Sequence, residues 1–372
     1  MLNLRVIQAE QGDCLVLEYG TALCPRYILI DGGPNRIYGD HLQSVLSQIG
    51  DAGHVLDLVV LSHVDDDHVN GLLDLMGDLQ DQHQQGQQQT IGIEELWHNS
   101  FSQTAGPDVE GRFQALADRP GASRDLMGRT AQTGRSIRQG DQLTRLAGAL
   151  DIPINPRFSP GHLITVDSVS EAVMLDNLSL RVVGPTNDNL DELREDWLEW
   201  LAKYEQPVLS RDPEEVERAA LAADSSVPNL SSIMLLAEAD GKRLLLTGDG
   251  RGDHLVEGLE RARLLECDGS LHVDLLKVPH HGSVRNVTPD FFQTVTADLY
   301  VISANGKHDN PDLDTLRWMV EAAVAQERPI QIFVTNATEA TRQLLLEYDP
   351  SEYGYELIEM AQGEHSLILE MA

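Results

Sequence analysis

Three observations predict an α/β fold. Short apolar runs of the kind that form strands gather towards both ends of the chain, helical periodicities fill the stretch between them, and chemically capable residues stand where the runs stop. With 372 residues, 41% of them hydrophobic, the chain can bury a substantial core. No fixed-period repeat and no linker divides it, so residues 1–372 read as one domain with two largely helical insertions, at about 104–160 and 188–227.

The first strand group is "LNLRVIQ", "CLVLEYG", "RYILIDGG" and "LDLVVLSH". Apolar runs closed by Gly or Asp suit strands, and the continuous ones suit burial on both faces. After His68 the apolar positions Leu72, Leu75, Met76 and Leu79 fall on one face of a helix. "QDQHQQGQQQ" at 80–89 is low in complexity and polar, which predicts a solvated loop, and "IEELWHN" predicts a further strand. Helical spacing marks "RSIRQGDQLTRLAGAL" and "NLDELREDWLEWLAKY", while "HLITVDS" and "LSLRVVGP" between them read as a hairpin. From 230 the strands resume in "SSIMLLAEA", "KRLLLTGDG", "VDLLKVPHHGS" and "DLYVISANG", and "PIQIFVTN", "YELIEM" and "HSLILEMA" add three more.

Composition narrows the function. No stretch approaches the roughly 20 apolar residues of a membrane span, and the start lacks the basic flank and apolar region of a secretion signal. A cytoplasmic protein without a membrane partner is expected. Cys14, Cys24 and Cys267 are odd in number and far apart, which predicts reduced thiols rather than a disulfide framework or a cysteine zinc cage. The 27 basic residues face 60 acidic ones, a net charge of −33 that disfavours long nucleic acid as a partner. A polyanionic substrate must then meet bound metal or a local basic patch, for which Lys277, Arg285 and Lys307 are candidates.

"LSHVDDDHVNG" places His63, Asp65, Asp67 and His68 within six residues. An acidic helix N-cap would account for the aspartates but needs neither histidine. Gly248-Asp249 alone is an ordinary turn, His280-His281 alone a polar loop, and His308 alone a surface histidine. Each of these, however, follows an apolar strand, and loops leaving neighbouring strands at one end converge. Carboxylates and imidazoles gathered in this way suit divalent metals.

With these motifs the chain resembles the metallo-β-lactamase superfamily, whose motif is H-x-H-x-D-H, and within it the metal-hydrolase domain of the ComEC-type competence DNA-uptake protein. The resemblance rests on "QGD" at 11–13, "LIDGG" at 29–33, "SHVDDDHVNG" at 62–71, "NLSS" at 229–232, "LLTGD" at 245–249, "LKVPHHGS" at 276–283 and "SANGKHDNP" at 303–311. It implies a four-layer αββα sandwich with two divalent ions, zinc or manganese, between the sheet ends. His63 and Asp65 would bind the first ion, Asp67 and His68 the second, and Asp249 would bridge them. His280 or His281 would complete the coordination of the second ion, the other contacting substrate, with Asp31 behind the site orienting imidazoles. Asp65 stands at the motif's second His, Asn229 near the position of a third His, and Asn310 where a His would precede Pro311, with His308 two residues earlier.

A carboxylate at position 65 hardens the first site and shifts preference from zinc towards manganese or magnesium. Two divalent ions balance three Asp ligands and one bridging hydroxide, a neutral centre suited to in-line attack at phosphorus. The expected function is a metal-dependent phosphodiesterase or nuclease, with Asp67, Asp249, His281 and His308 as catalytic candidates and a small phosphodiester fitting the acidic surface better than long DNA. Alternatives are a small ester, lactone or thioester as substrate, or a non-catalytic metal-binding module that engages a protein partner through its insertions.

Overall fold

The apolar runs pair into two sheets, and their side chains alternate between a shared interior and the outer faces. The structure, a computed structural model, describes residues 1–100, 104, 106, 109, 111–112, 130–159, 163–169, 171–210 and 231–371. Strands β1 (Leu2–Ile7), β2 (Leu15–Thr21), β3 (Cys24–Ile30), β4 (Leu56–Val60) and β5 (Leu96–Trp97) form the first sheet, with β14 (Ser366–Glu370) at its edge beside β1. The second contains β6 (Val173–Leu175), β7 (Leu178–Gly184), β8 (Met234–Ala239), β9 (Lys242–Leu246), β10 (Leu271–Lys277), β11 (Val295–Ile302), β12 (Ile330–Val334) and β13 (Tyr355–Glu359), in reverse spatial order.

Alternation decides what each face meets. Leu4, Leu17, Ile28 and Val60 of the first sheet share one core with Leu180, Leu235, Leu246, Leu275 and Val301 of the second. The opposite face of the first sheet, through Val16, Leu29 and Val59, packs on α1 (Gln43–Asp51), α2 (Asp66–Gln84) and α3 (Thr130–Ala149). That of the second, through Leu245, Leu276, Tyr300 and Ile332, packs on α5 (Gly252–Arg261), α6 (Pro289–Thr294), α7 (Leu313–Ala325) and α8 (Glu339–Glu347). Two further helices are α4 (Asn187–Ser210) and α9 (Pro350–Tyr353). The structure is thus mixed α/β, with two sheets and helices on their outer faces. Because β9, β10, β11 and β12 run parallel, the loops after them leave at one edge.

Three elements depart from the sequence expectation. The Gln-rich tract does not begin as a loop, because α2 continues to Gln84 before the chain turns. Glutamine is a good helix former, so a polar stretch can extend a helix that is already packed. "IEELWHN" contributes only Leu96–Trp97. The described part of "HLITVDS", from Leu163 on, is not the hairpin partner: Thr165 and Ser168 make a reciprocal capping box around the turn Val166–Ser168, and β6 pairs with β7 across Asp176-Asn177. Side-chain hydrogen bonds to the local backbone outcompete the ladder there.

The first expected insertion is integrated where it is described, since Leu143, Leu146 and Ala147 of α3 lie in the same core as α2. Residues 113–129, and 211–230 with Asn229, fall outside the described residues.

Candidate metal centre

Strand ends deliver the side chains. β4 stops at Val60, and the chain runs through Ser62 and His63 into α2, whose first turn holds Asp67 and His68. Asp65 occupies the N-cap position in extended conformation, yet its side chain makes no capping hydrogen bond and lies 3.6 Å from His63 Nε2. The helix-cap explanation therefore does not account for Asp65. Asp249 follows β9 after Gly248, and His280 and His281 follow β10. Both histidines take left-handed backbone, with φ of 45° and 55°. For residues with a Cβ that conformation is costly and persists where the surroundings impose it.

Two close backbone approaches hold the loops together. A Cβ on Gly71 would stand 1.8 Å from the Gly32 carbonyl oxygen, so only glycine lets α2 lie against the loop after β3. A Cβ on Gly12 would come within 2.0 Å of the Asp67 carbonyl oxygen. That approach seats Asp13 beside the metal motif, with the Asp13 N–H 3.3 Å from the same oxygen.

Four imidazoles share one orientation. His68 Nδ1 lies 2.8 Å from Asp31 Oδ2, His281 Nδ1 2.8 Å from the Ser303 carbonyl, His280 Nδ1 2.6 Å from Asn286 Oδ1, and His63 Nδ1 3.1 Å from Ser62 Oγ. Each Nδ1–H donates outward, which leaves every Nε2 facing in. Asp31 also accepts from the Ser62 N–H and hydroxyl, and Asn286 donates to the Asp249 carbonyl, so the supporting groups are themselves fixed.

The inward nitrogens converge on Asp249 from two sides. His68 and His281 Nε2 stand 3.3 and 3.4 Å from its Oδ1, while His280 and His63 Nε2 stand 3.5 and 3.9 Å from its Oδ2. Asp67 Oδ2 lies 3.8 Å from His281 Nε2, on the Oδ1 side, and Asp65 lies with His63 on the Oδ2 side. Asp13, His68, Asp249 and His281 also offer ligand atoms all within 4.8 Å of one another. Nε2 of His63, His68 and His281 and Oδ1 of Asp249 are buried without hydrogen-bond partners among the described residues. Buried polar atoms are ordinarily satisfied, and these are donor atoms that divalent cations take. The residues fit a metal.

Electrostatics agree. Burial works against the Asp249 carboxylate, but His281, His68 and His280 hold it well below the ordinary range. Burial likewise opposes charge on His68, yet Asp249 and Asp31 raise its pKa well above the usual imidazole value. His281 is pushed up to about 9, because Asp249 and Asp13 outweigh burial. Burial dominates at His280 and lowers it. The carboxylates demand positive charge at the inward nitrogens, which protons or a cation can supply.

The structure brings together His63, Asp65, Asp67, His68, Asp249, His280 and His281. His308 stands apart: it is exposed on the turn Lys307–Asp309 and makes no polar contact with the cluster among the described residues. Of the expected basic patch, Arg285 and Lys307 are exposed, whereas Lys277 is buried on Asp13 and cannot face a substrate. Sequence reading left Asp13 out of the site. Its only signal was the "QGD" motif, with no histidine nearby in sequence.

The fold and site thus define a mixed α/β protein with a buried His/Asp cluster of metal-binding character. No protein-family model and no curated protein matches the chain. Among solved structures it is similar to a "Putative metal-dependent hydrolase" from Parabacteroides distasonis, at 9% identity and a TM-score of 0.36, covering 96% of this chain and 92% of that one. No helix among the described residues is long and apolar enough to cross a membrane.

Proposed function

We propose that this protein is a metal-dependent hydrolase of the metallo-β-lactamase kind, its helix–sheet–sheet–helix packing corresponding to the four-layer αββα sandwich, and that its substrates are phosphodiesters. The single observation behind this reading is the division of Asp249, whose two oxygens face two separate pairs of inward imidazole nitrogens. One ion would be held by His63, Asp65, His280 and Asp249 Oδ2, the other by Asp67, His68, His281 and Asp249 Oδ1. Bound divalent ions of this kind lower the pKa of water and stabilise charge developing on phosphoryl oxygens.

The chain's own groups do the preparatory work. Asp31, the Ser303 carbonyl, Asn286 and Ser62 hold the Nδ1 protons, so that four imidazoles present Nε2 lone pairs without reorganising. Asp249 holds the two halves in register through one carboxylate. The net charge of −33 favours a small phosphodiester over a polymeric one, since a long polyanion would meet repulsion beyond the cleft.

The test is metal analysis of the purified chain, followed by hydrolysis of a chromogenic phosphodiester with manganese or zinc, or after chelation. Metal-dependent turnover is expected. Asp249→Asn, which keeps the side chain's size but removes its charge, should lower turnover by on the order of 10² to 10³ while the protein stays folded. Metal-dependent turnover of a carboxylic ester or lactone in place of phosphodiesters would move the substrate class, and an absence of bound metal would overturn the reading.

A further inference from the structure

Lys277 is a buried lysine at this centre. It closes β10, is 1% exposed, and its Nζ forms an ion pair with Asp13 Oδ2, itself 1% exposed. The same ammonium donates to the Gly248 carbonyl at 3.1 Å and lies 3.9 Å from Asp249 Oδ1. Asp13 can belong to the ligand shell, because its carboxylate lies within ligand distance of His68, Asp249 and His281. Its approach argues otherwise. Asp13 Oδ1 reaches His281 at Nδ1, 3.5 Å away, on the side of the ring that already donates to the Ser303 carbonyl, whereas Asp249 and Asp67 lie at Nε2. Ser303 in turn donates its hydroxyl to the Gly12 carbonyl at 2.6 Å, locking the Asp13 loop behind the imidazole.

Resting on the metal-centre reading above, we propose that Lys277 is a positioning residue, a built-in monocation that retains Asp13 behind His281 and outside the metal shell. The Lys277–Asp13 pair is then neutral as a unit and sets the affinity of the Oδ1 side. A lone buried carboxylate at position 13 would add a donor and a negative charge, and a lone ammonium at 277 would repel the incoming ion. Removing either partner alone should therefore move metal affinity in opposite directions, and removing both should restore it. A role confined to packing produces no such crossing.

The experiment is calorimetric titration of manganese(II) into the chelator-stripped full chain for wild type, Asp13→Asn, Lys277→Met and the double variant. Asp13→Asn should keep the wild-type stoichiometry and bind at least about tenfold more weakly, while Lys277→Met should bind at least about tenfold more tightly. The double variant should return to within about threefold of wild type. Should Lys277→Met fail to fold, the double variant against Asp13→Asn still decides, with at least about tenfold tighter binding expected on adding Lys277→Met. Loss of a manganese equivalent in Asp13→Asn would make Asp13 a ligand and overturn the proposal, as would a double variant that binds no more tightly than Asp13→Asn. Wild type that binds no manganese overturns this proposal together with the metal reading; wild type that binds with the wrong order among the variants overturns this one alone.

Discussion

Asp31 shows how much of a metal centre lies behind its ligands. It faces no open cleft, being 1% exposed, and spends its two oxygens on the Ser62 N–H, the Ser62 hydroxyl and His68 Nδ1. A carboxylate there fixes the tautomer and aim of His68 and makes it a stronger donor. Asp31→Asn keeps the shape but turns one acceptor into a donor that opposes the Nδ1 proton. Manganese affinity measured by titration should fall by about 10- to 100-fold, the usual cost of losing such a partner. An unchanged affinity would mean that His68 is aimed by the fold alone.

Elements are held to the centre by close backbone contacts. Gly71 sits in the first half of α2, and helix propensity alone predicts that Gly71→Ala stabilises by up to about 1 kcal/mol. The Gly32 carbonyl contradicts this, since the new methyl would stand 1.8 Å from its oxygen. We expect a loss of about 1–3 kcal/mol by chemical denaturation, together with weaker metal binding, because α2 carries Asp67 and His68.

His98 lies under α3, 2% exposed, with Nε2 3.2 Å from Thr144 Oγ1 and Nδ1 unpartnered among the described residues. Burial lowers its pKa to about 4. The unfolded chain then takes up this proton near the ordinary value of about 6.5 and the folded chain only near 4, so stability falls as pH drops between the two. The loss approaches about 3 kcal/mol at the bottom of that window. His98→Gln, which does not titrate, should flatten the unfolding free energy over this pH range relative to wild type. Parallel pH profiles would show that His98 does not carry the effect.

The whole molecule carries 60 acidic against 27 basic residues, and its basic side chains are often already engaged. Arg261 bonds Asp167, Asp188 and Glu257, Arg317 bonds Asp314 and Glu347, and Arg26 bonds Asp57. What remains is a field of like charge that the compact state concentrates. Screening shortens from roughly 10 Å at 0.1 M salt to 3 Å at 1 M. The midpoint of thermal unfolding should therefore rise with sodium chloride over that range. A midpoint that falls with salt would show that attractive surface pairs outweigh the net repulsion.

By itself the sequence determined most of the strands and the identity of the donor-rich loops. Those follow from local rules: apolar period, turn residues, and polar groups placed at strand ends. Where short-range hydrogen bonds compete with the ladder, as at Thr165 and Ser168, the local signal misled, and the strand runs at Val173–Leu175 instead. Tertiary structure alone decided which histidine serves which side. His280 and His281 are neighbours with one chemistry, and only their left-handed turn sends one Nε2 to each oxygen of Asp249. It alone brought Asp13 to the centre, through a glycine contact with Asp67 that spans more than fifty residues. It alone turned Lys277 from a substrate-facing charge into a buried one. These are matters of packing between distant segments, where a side chain's partner depends on how closely two backbones can approach, and no local pattern in the chain encodes that.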